Sequence, residues 1–531
     1  MQKKSGLFLL SLFSGILLAL AWYWHLTIVI FFAFVPLLLV EDRLSQQAEI
    51  SRPALKTWAH AYLAFFVWNV LVTWWVVYAS FGGACMAYIF NALFMAIVFT
   101  IWSRLKTRLR KPWGHWLLVP LWIAWEHWHT IWDLTWTWLT LGNVFAFNHN
   151  WVQWYEFTGT SGGTLWVLAG NILVFKTIKN HTSLKLVSKP VIRIAAIIIV
   201  PIFISYLIFA VKKNKPKAGE GLNTIVVQPN IDPYNDKFSW DFSYQFSKSI
   251  KLLQGKITGA TDYLVFPETF ITDNINEEVI DESDAIQWFR DSLLTKFPNL
   301  KIITGANTYV IYRKGEQTAT SRKDERGFYY DMFNTALQID ASGIEIYHKS
   351  KLVPGVERMP FPALLKPLEG LAIDMGGTMG SLGTQPDRGV FACKTSPGVI
   401  APVICYESIF ADYETEYVRK GANLIFIITN DGWWDNTPGY VHHLNYARLR
   451  AIENRREIAR SANTGISCFI NEFGETSQET EWWHEAVIEK KLYPGTDLTF
   501  FSRFGDLISY TSFLVAVLLI LWAVFLRFRK A

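Results

Sequence analysis

The sequence predicts a polytopic α-helical membrane domain of about eight spans, each needing about 20 apolar residues, joined to an α/β domain outside the membrane. Three observations carry that reading. The chain is 51% hydrophobic and only 18% charged over 531 residues, where soluble domains average about 25% charged. Charges are absent from 5–40 and again from 57–103, 47 residues in a row. Between 212 and 506 charges return, and short β-rich runs alternate with stretches of helical spacing, the pattern of a layered sheet with helices on its faces.

Taken in order, the run 5–40 reads as a tight hairpin of short helices turning near residues 22–25. Lys3 and Lys4 ahead of it imitate the start of a signal peptide, but the apolar stretch continues to Val40 without a clear small-residue cleavage site, so it is read as a retained first span. The run 57–103 holds two spans, with Gly82-Gly83 as the turn between them. Further spans fall at 113–129, which contains Glu126, and at 157–175, 194–211 and 507–526.

Basic residues orient these spans. With Lys3 and Lys4 in the cytoplasm, the basic loops 41–56, 104–112 and 176–193 and the tail Arg527, Arg529 and Lys530 all fall inside, while the short loops between them carry almost no basic residues. Lys212, Lys213, Lys215 and Lys217 fall outside, but they introduce a long segment, and long translocated domains follow the rule poorly. The expected organisation is a membrane domain at 1–211, a domain on the outer face of the membrane at 212–506, and a final span with a cytoplasmic tail at 507–531, both termini being cytoplasmic.

Composition excludes several classes. The apolar content rules out disorder, and four cysteines rule out a disulfide scaffold. A net charge of +5 argues against a nucleic-acid partner. The 25 tryptophans and 38 phenylalanines suit membrane interfaces. His442-His443 has no third ligand spaced to join it, so no metal and no cofactor is expected.

In the α/β segment, runs at 224–228, 263–266, 301–305, Val399–Ile404, Leu424–Thr429 and 466–471 read as strands, and 241–253, 284–295 and 440–459 as helices. The runs 335–340 and 344–348 flank Ala341-Ser342-Gly343 as a hairpin. Three strands run into reactive side chains: Phe266-Pro267-Glu268, Tyr347-His348-Lys349 and Val403-Ile404-Cys405. Strand ends are where open α/β folds build their sites. A cysteine nucleophile needs a base and a positive charge for the oxyanion, and Glu268, Cys405 and Lys349 meet those needs without a metal or a histidine.

At these residues the chain resembles the nitrilase superfamily, with its Glu-Lys-Cys triad in a fold of two sheets between helices. The resemblance extends through Val227-Gln228-Pro229-Asn230-Ile231, the spacing of eight from Lys349 to Glu357, Cys405-Tyr406-Glu407, Asn430-Asp431-Gly432-Trp433-Trp434, His443-Leu444, and Arg460-Ser461-Ala462-Asn463-Thr464-Gly465. Joined to N-terminal spans and one C-terminal span, it is similar to the bacterial apolipoprotein N-acyltransferase family. The family's Pro-Phe-Gly-Glu stands here as Pro354-Gly355-Val356-Glu357, and Phe238 and Trp240 both compete for a family tryptophan.

The resemblance implies acyl transfer from a phospholipid to the N-terminal amine of the S-diacylglyceryl-cysteine of an apolipoprotein, through a thioester. Cys405 is then the nucleophile, Glu268 the base and Lys349 the oxyanion partner. Glu357 and Glu407 would orient Lys349, and Tyr406 would line the oxyanion or acyl pocket. Trp240, Trp433 and Trp434 are candidate substrate contacts, and the expected form is a monomer. The apolar, proline-broken stretch after Glu357, with Phe361, Leu364 and Leu365 between Arg358 and Lys366, reads as a flap resting on the membrane. Two other readings stand beside acyl transfer, the first with the same triad and the second with a degenerate domain. One is a membrane-anchored amidase in which water attacks the acyl-enzyme. The other is a non-catalytic membrane scaffold or transporter.

Overall fold

The computed structural model describes residues 4–23, 26–46, 51–180, 188–217, 219–313, 315–361 and 381–528. The chain divides into two compact units, Met1–Asn214 with Phe504–Ala531, and Lys215–Arg503.

The first unit is helical. Four described helices are long and apolar enough to cross a membrane: Phe81–Leu109, Tyr155–Asn180, Lys189–Lys213 and Leu507–Leu526. Lys4–Leu20, Val35–Gln46 and Pro53–Thr73 accompany them. Two sequence expectations are corrected here. Gly82 and Gly83 are not a turn but lie in the first turn of Phe81–Leu109, and the reversal comes earlier, over residues 74–80. Ser80 caps the new helix, its hydroxyl accepting from Gly83 N at 3.0 Å. Two glycines cost a helix about 1 kcal/mol each, but an apolar medium offers their backbone no other partner.

The predicted span at 113–129 is an α-helix only over Leu118–Trp128. At 1.5 Å per residue that is about 16 Å, short of a hydrocarbon core of about 30 Å. Glu126 explains what the segment does instead. Its carboxylate accepts from Leu141 N at 2.8 Å, Trp122 Nε1 at 3.1 Å and Thr164 Oγ1 at 2.6 Å. It thereby ties this short helix to the 3-10 turn Leu141–Ala146 and to Tyr155–Asn180. The hairpin expected near residues 22–25 falls partly outside the described residues.

Ion pairs fix which helix ends meet. Lys179 Nζ lies 2.6 Å from Asp42 Oδ1, and Lys106 pairs with Glu41. The ends of Val35–Gln46, Phe81–Leu109 and Tyr155–Asn180 therefore share one end of the unit. At the other end of Tyr155–Asn180, where the helix is broken at Gly159, Glu156 pairs with Lys212 and the Ser161 hydroxyl donates to Asp506 Oδ1 at 2.5 Å.

In the second unit, β-branched and aromatic runs form two sheets. The first contains β1 (Leu222–Gln228), β2 (Tyr263–Val265), β3 (Ile271–Asn276), β4 (Lys301–Tyr312), β5 (Arg322–Lys323), β6 (Tyr329–Asp340) and β7 (Gly343–His348). The second contains β8 (Phe391–Ala392), β9 (Val399–Ile404), β10 (Leu424–Thr429), β11 (Ile458–Ala462), β12 (Cys468–Ile470) and β13 (Thr476–Ser477). The last strand, β14 (Ala486–Leu492), returns antiparallel to β1, so the first sheet runs β14-β1-β2-β4-β6-β5, with β3 beside β4 and β7 beside β6.

Parallel pairing joins β1 to β2, β2 to β4, β9 to β10 and β10 to β11. The sheets meet where the Ser461 hydroxyl donates to Val227 O at 2.9 Å and the Tyr263 ring stands edge-on to Phe426 at 5.3 Å. On the outer face of the first sheet, Phe242, Phe246, Ile286 and Phe289 of helices Phe242–Leu252 and Asp284–Phe289 bury against Leu264, Ile302 and Leu337. Helix Ala411–Arg419 packs on Pro438–Asn454 beside the second sheet. The helix expected over 440–459 stops at Asn454, and its last residues belong to β11.

Candidate active site

The three reactive groups come from the C-terminal ends of β2, β7 and β9, where short turns hold them. Glu268 follows β2 on a turn whose next residue, Thr269, has φ 50°. The turn leans on β4 at Gly305, whose N–H donates to Pro267 O at 3.1 Å. A Cβ there would stand 2.3 Å from Thr269 N and 2.7 Å from Glu268 Cα, so only glycine admits the turn. Lys349 comes directly after β7, its N–H donating to Asn334 O at 2.8 Å. Cys405 comes directly after β9 and opens the 3-10 turn Cys405–Ile409 with φ 48°. Such strain in a non-glycine residue is characteristic of functional sites, and a sharp strand-to-helix turn is one known way to present a nucleophile.

Glu268 and Lys349 form a buried pair, with Nζ 2.9 Å from Glu268 Oε1. The same Nζ lies 2.7 Å from Glu357 Oε1, and Glu357 Oε2 accepts from Val353 N at 2.8 Å. Glu357 therefore contacts the Lys349 ammonium with one oxygen and the backbone of its own turn with the other. Gly355 adopts φ 79° in the turn that closes with Gly355 N donating to Arg358 O, so the altered turn sequence still delivers the glutamate. Asn334 bridges both acids, its Nδ2 donating to Glu268 Oε1 at 2.8 Å and to Glu357 Oε1 at 3.1 Å.

Burial pushes the Glu268 carboxyl up, but Lys349 outweighs it and holds the group below its ordinary value. Burial likewise opposes the charge on Lys349, and the Glu268 and Glu357 carboxylates more than restore it. Burial pushes the Cys405 thiol well up, with the Glu268 charge adding to it and Lys349 opposing. The resting site thus holds an ionised acid, an ammonium and a neutral thiol. An ionised carboxylate coupled to a neutral thiol is the pairing that base-assisted activation of a thiol requires.

Glu407 is fully buried and does not touch the Lys349 side chain, which corrects the expectation. Its Oε1 accepts from Ser350 N at 2.7 Å, Tyr347 OH at 2.8 Å and Tyr413 OH at 2.7 Å, and its Oε2 accepts from Ile404 N at 2.9 Å. One carboxylate therefore joins the residue after Lys349 to the residue before Cys405. Removing it leaves buried donors unsatisfied at about 1–3 kcal/mol each. Glu407→Ala is expected to lower unfolding stability by at least about 3 kcal/mol, measured by chemical denaturation.

Behind Cys405, His443 Nε2 lies 3.1 Å from the Cys405 carbonyl and 2.9 Å from Ser408 Oγ. Its Nδ1 lies 2.9 Å from Asp431 Oδ1, while Arg460 Nη2 donates to Asp431 Oδ2 at 2.6 Å. Burial pushes the Asp431 carboxyl up, but Arg460 and His443 outweigh it and hold it at about 2. The unfolded chain therefore protonates this acid first as pH falls. Its contribution is complete above about 4, the ordinary value being 3.8, and is lost as pH drops through about 2. Denaturation midpoints are expected to lose about 2 kcal/mol over that window, a component missing in Asp431→Asn.

Tyr406 is buried and packs edge-on to Phe410 at 5.2 Å. Trp433 meets Tyr234 at 5.2 Å, and Trp434 stands edge-on to the His443 ring at 5.5 Å. Trp240 packs on Tyr244 at 4.9 Å. Phe361 is 40% exposed with φ 50°, while Leu364 and Leu365 lie outside the described residues. Sequence reasoning missed Asn334 and Lys237. Asn334 carried a signal, being an amide in the middle of a buried strand, where polar groups need partners. Lys237 is 2% exposed and donates from Nζ to Glu268 O at 2.8 Å, on a turn with nothing to single it out.

Residues 225–495, about half of the chain, match the carbon-nitrogen hydrolase family, and residues 14–173 match the apolipoprotein N-acyltransferase N-terminal domain. An apolipoprotein N-acyltransferase of Chlorobaculum tepidum is 29% identical over 537 residues, covering 97% of this chain and 96% of its own. One of Geobacter metallireducens is 25% identical, covering 95% of this chain and 92% of its own. Among solved structures, Nit3 of Saccharomyces cerevisiae, a member of branch 10 of the nitrilase superfamily, is similar at 16% identity with a TM-score of 0.37, covering 53% of this chain and 93% of its own. The chain belongs to the carbon-nitrogen hydrolase family, with its nitrilase-like α/β domain following an apolipoprotein N-acyltransferase N-terminal domain.

Proposed function

We propose that the chain moves an acyl group from a phospholipid to the N-terminal amine of a diacylglyceryl-cysteine apolipoprotein, through a thioester on Cys405. Glu268 takes the thiol proton as the thiolate attacks the ester carbonyl, and Lys349 faces the oxyanion. The intermediate collapses, the ester C–O bond breaks, and the leaving lysophospholipid oxygen takes the proton back from Glu268. The amine of the acceptor then attacks the thioester, Glu268 accepts its proton, and the thiolate leaves and is reprotonated. The observation that carries this reading is the buried Glu268–Lys349–Glu357 cluster, electrostatically coupled to a cysteine on a strained turn, in a chain that carries the acyltransferase N-terminal domain.

The placement proposed is the bacterial inner membrane, with the catalytic domain periplasmic and both termini cytoplasmic. Its support is the arrangement of helix ends in the first unit. Lys212 and Asp506, which flank the catalytic segment, both attach at the start of Tyr155–Asn180. The basic ends Lys106 and Lys179 gather at the opposite end with Glu41 and Asp42. Lys212 and Asp506 thus stand at the opposite end of the helices from Lys106 and Lys179, which supports this orientation.

Incubation of the purified chain with acyl-labelled phospholipid and a diacylated lipopeptide tests the reading. Label on the lipopeptide amine is the expected result. Label released as free fatty acid would favour the membrane-anchored amidase reading, and label left on the phospholipid the scaffold.

A further inference from the structure

Lys237 is the second buried lysine of the site. Its turn is built by Asp232, whose carbonyl accepts from Lys237 N at 2.9 Å and from Asp236 N at 3.1 Å. Gln245 Nε2 donates to Lys237 O at 2.7 Å and fixes the residue from helix Phe242–Leu252. An ammonium carries three N–H groups. Here one donates to the Glu268 carbonyl, and the Phe238 ring lies 5.9 Å from Nζ. Among the described residues, no carboxylate lies within ion-pair distance of it and no second acceptor is hydrogen-bonded to it. A buried ammonium so poorly answered is costly, unless negative charge resides or develops close by.

The negative charge is that of the reacting groups. Lys237 is coupled electrostatically to Glu268 first and to Cys405 second. Glu268, Glu357 and Lys349 together carry a net charge of −1, and Lys237 brings the cluster to zero. Without it, a thiolate would form in a pocket already negative.

Resting on Cys405 as the nucleophile of the proposed function, we propose that Lys237 is a positioning residue whose ammonium stabilises the Cys405 thiolate while its hydrogen bond holds the Glu268 turn. The titratable groups that act on Lys237 are Glu268 and Cys405, and those that act on the thiol are Glu268, Lys349 and Asp431. Burial lowers Lys237 to about 8, so its help fades as pH rises past that value.

Alkylation of Cys405 by iodoacetamide in the full-length, detergent-solubilised chain, followed on the Cys405 peptide by mass spectrometry, reads thiolate content without any acyl substrate. A neighbouring charge shifts a pKa by about one unit or more. Lys237→Met is therefore expected to alkylate about tenfold more slowly at pH 7, with the gap closing above about pH 8. Lys237→Arg, which stays charged, is expected to keep the fast rate throughout. A folded Lys237→Met with the wild-type rate at pH 7 overturns the proposal, leaving Lys237 a structural support for the Glu268 turn. If that variant fails to fold, Lys237→Gln, uncharged but still a donor, takes the same readout. A wild-type Cys405 inert at every pH overturns the nucleophile assignment itself, a result distinct from an unmoved profile.

Discussion

Cys405→Ala is expected to abolish acyl transfer, while simultaneous replacement of Cys85, Cys393 and Cys468 by alanine leaves turnover within a fewfold of the wild type. All four cysteines are free. Cys85 lies inside the apolar helix Phe81–Leu109, Cys468 is buried in β12, and Cys393 follows β8 with its Sγ 3.0 Å from Thr395 Oγ1. Only Cys405 stands on a strained turn coupled to an ionised acid and an ammonium. In the proposed route no other group can carry the acyl chain without that sulfur, so the loss is that of the whole covalent path. The measurement is transfer of labelled acyl chain to a diacylated lipopeptide. A folded triple variant that lost transfer would contradict the assignment.

The second large effect separates base from electrophile. Glu268→Gln keeps the size of the side chain but cannot take the thiol proton, and thioester formation is expected to fall by at least about 1,000-fold. Lys349→Ala removes the charge proposed to face the oxyanion, a loss of about 100- to 1,000-fold for one such group. It has a further signature that Glu268→Gln lacks. Lys349 holds the Glu268 carboxyl below its ordinary value. Without it the acid rises, so residual activity must set in at higher pH than in the wild type. Burst-phase acylation across pH 5–9 measures both, and a normal acylation rate in either variant would refute the role given to that residue.

Much of this site is legible in the sequence because each reactive side chain follows an apolar strand within a few residues. A strand of residues such as Leu264-Val265 or Val403-Ile404 can only end at a sheet edge. What fixes those ends was not legible, because it depends on pairs far apart in the chain. Glu407 joins Ser350 to Ile404, and Asn334 joins Glu268 to Glu357. Nothing local marks the first, and only register on β6 marks the second.

Strand β14 escaped for a different reason. Its sequence Ala-Val-Ile-Glu-Lys-Lys-Leu lies on the edge beside β1, mostly half-exposed, so it lacks the apolar run of a central strand. Strand β11 was absorbed into a helical reading because Ala451, Ile452 and Ile458 continue an apolar spacing through Arg455, whose φ of 49° ends the helix. In the membrane unit the apolar runs were plain, but Gly82-Gly83 invited a turn that the Ser80 cap places earlier.

The central claim is that the acyl chain rests on Cys405 between donor and acceptor. The most direct measurement is the mass of the Cys405 peptide after the wild-type chain is incubated with phospholipid alone. It is expected to gain one fatty acyl group, labile to neutral hydroxylamine as a thioester is, and to lose it when a diacylated lipopeptide is added, the same mass then appearing on the lipopeptide amine. An unmodified Cys405 in a preparation that nevertheless acylates the lipopeptide would contradict the account.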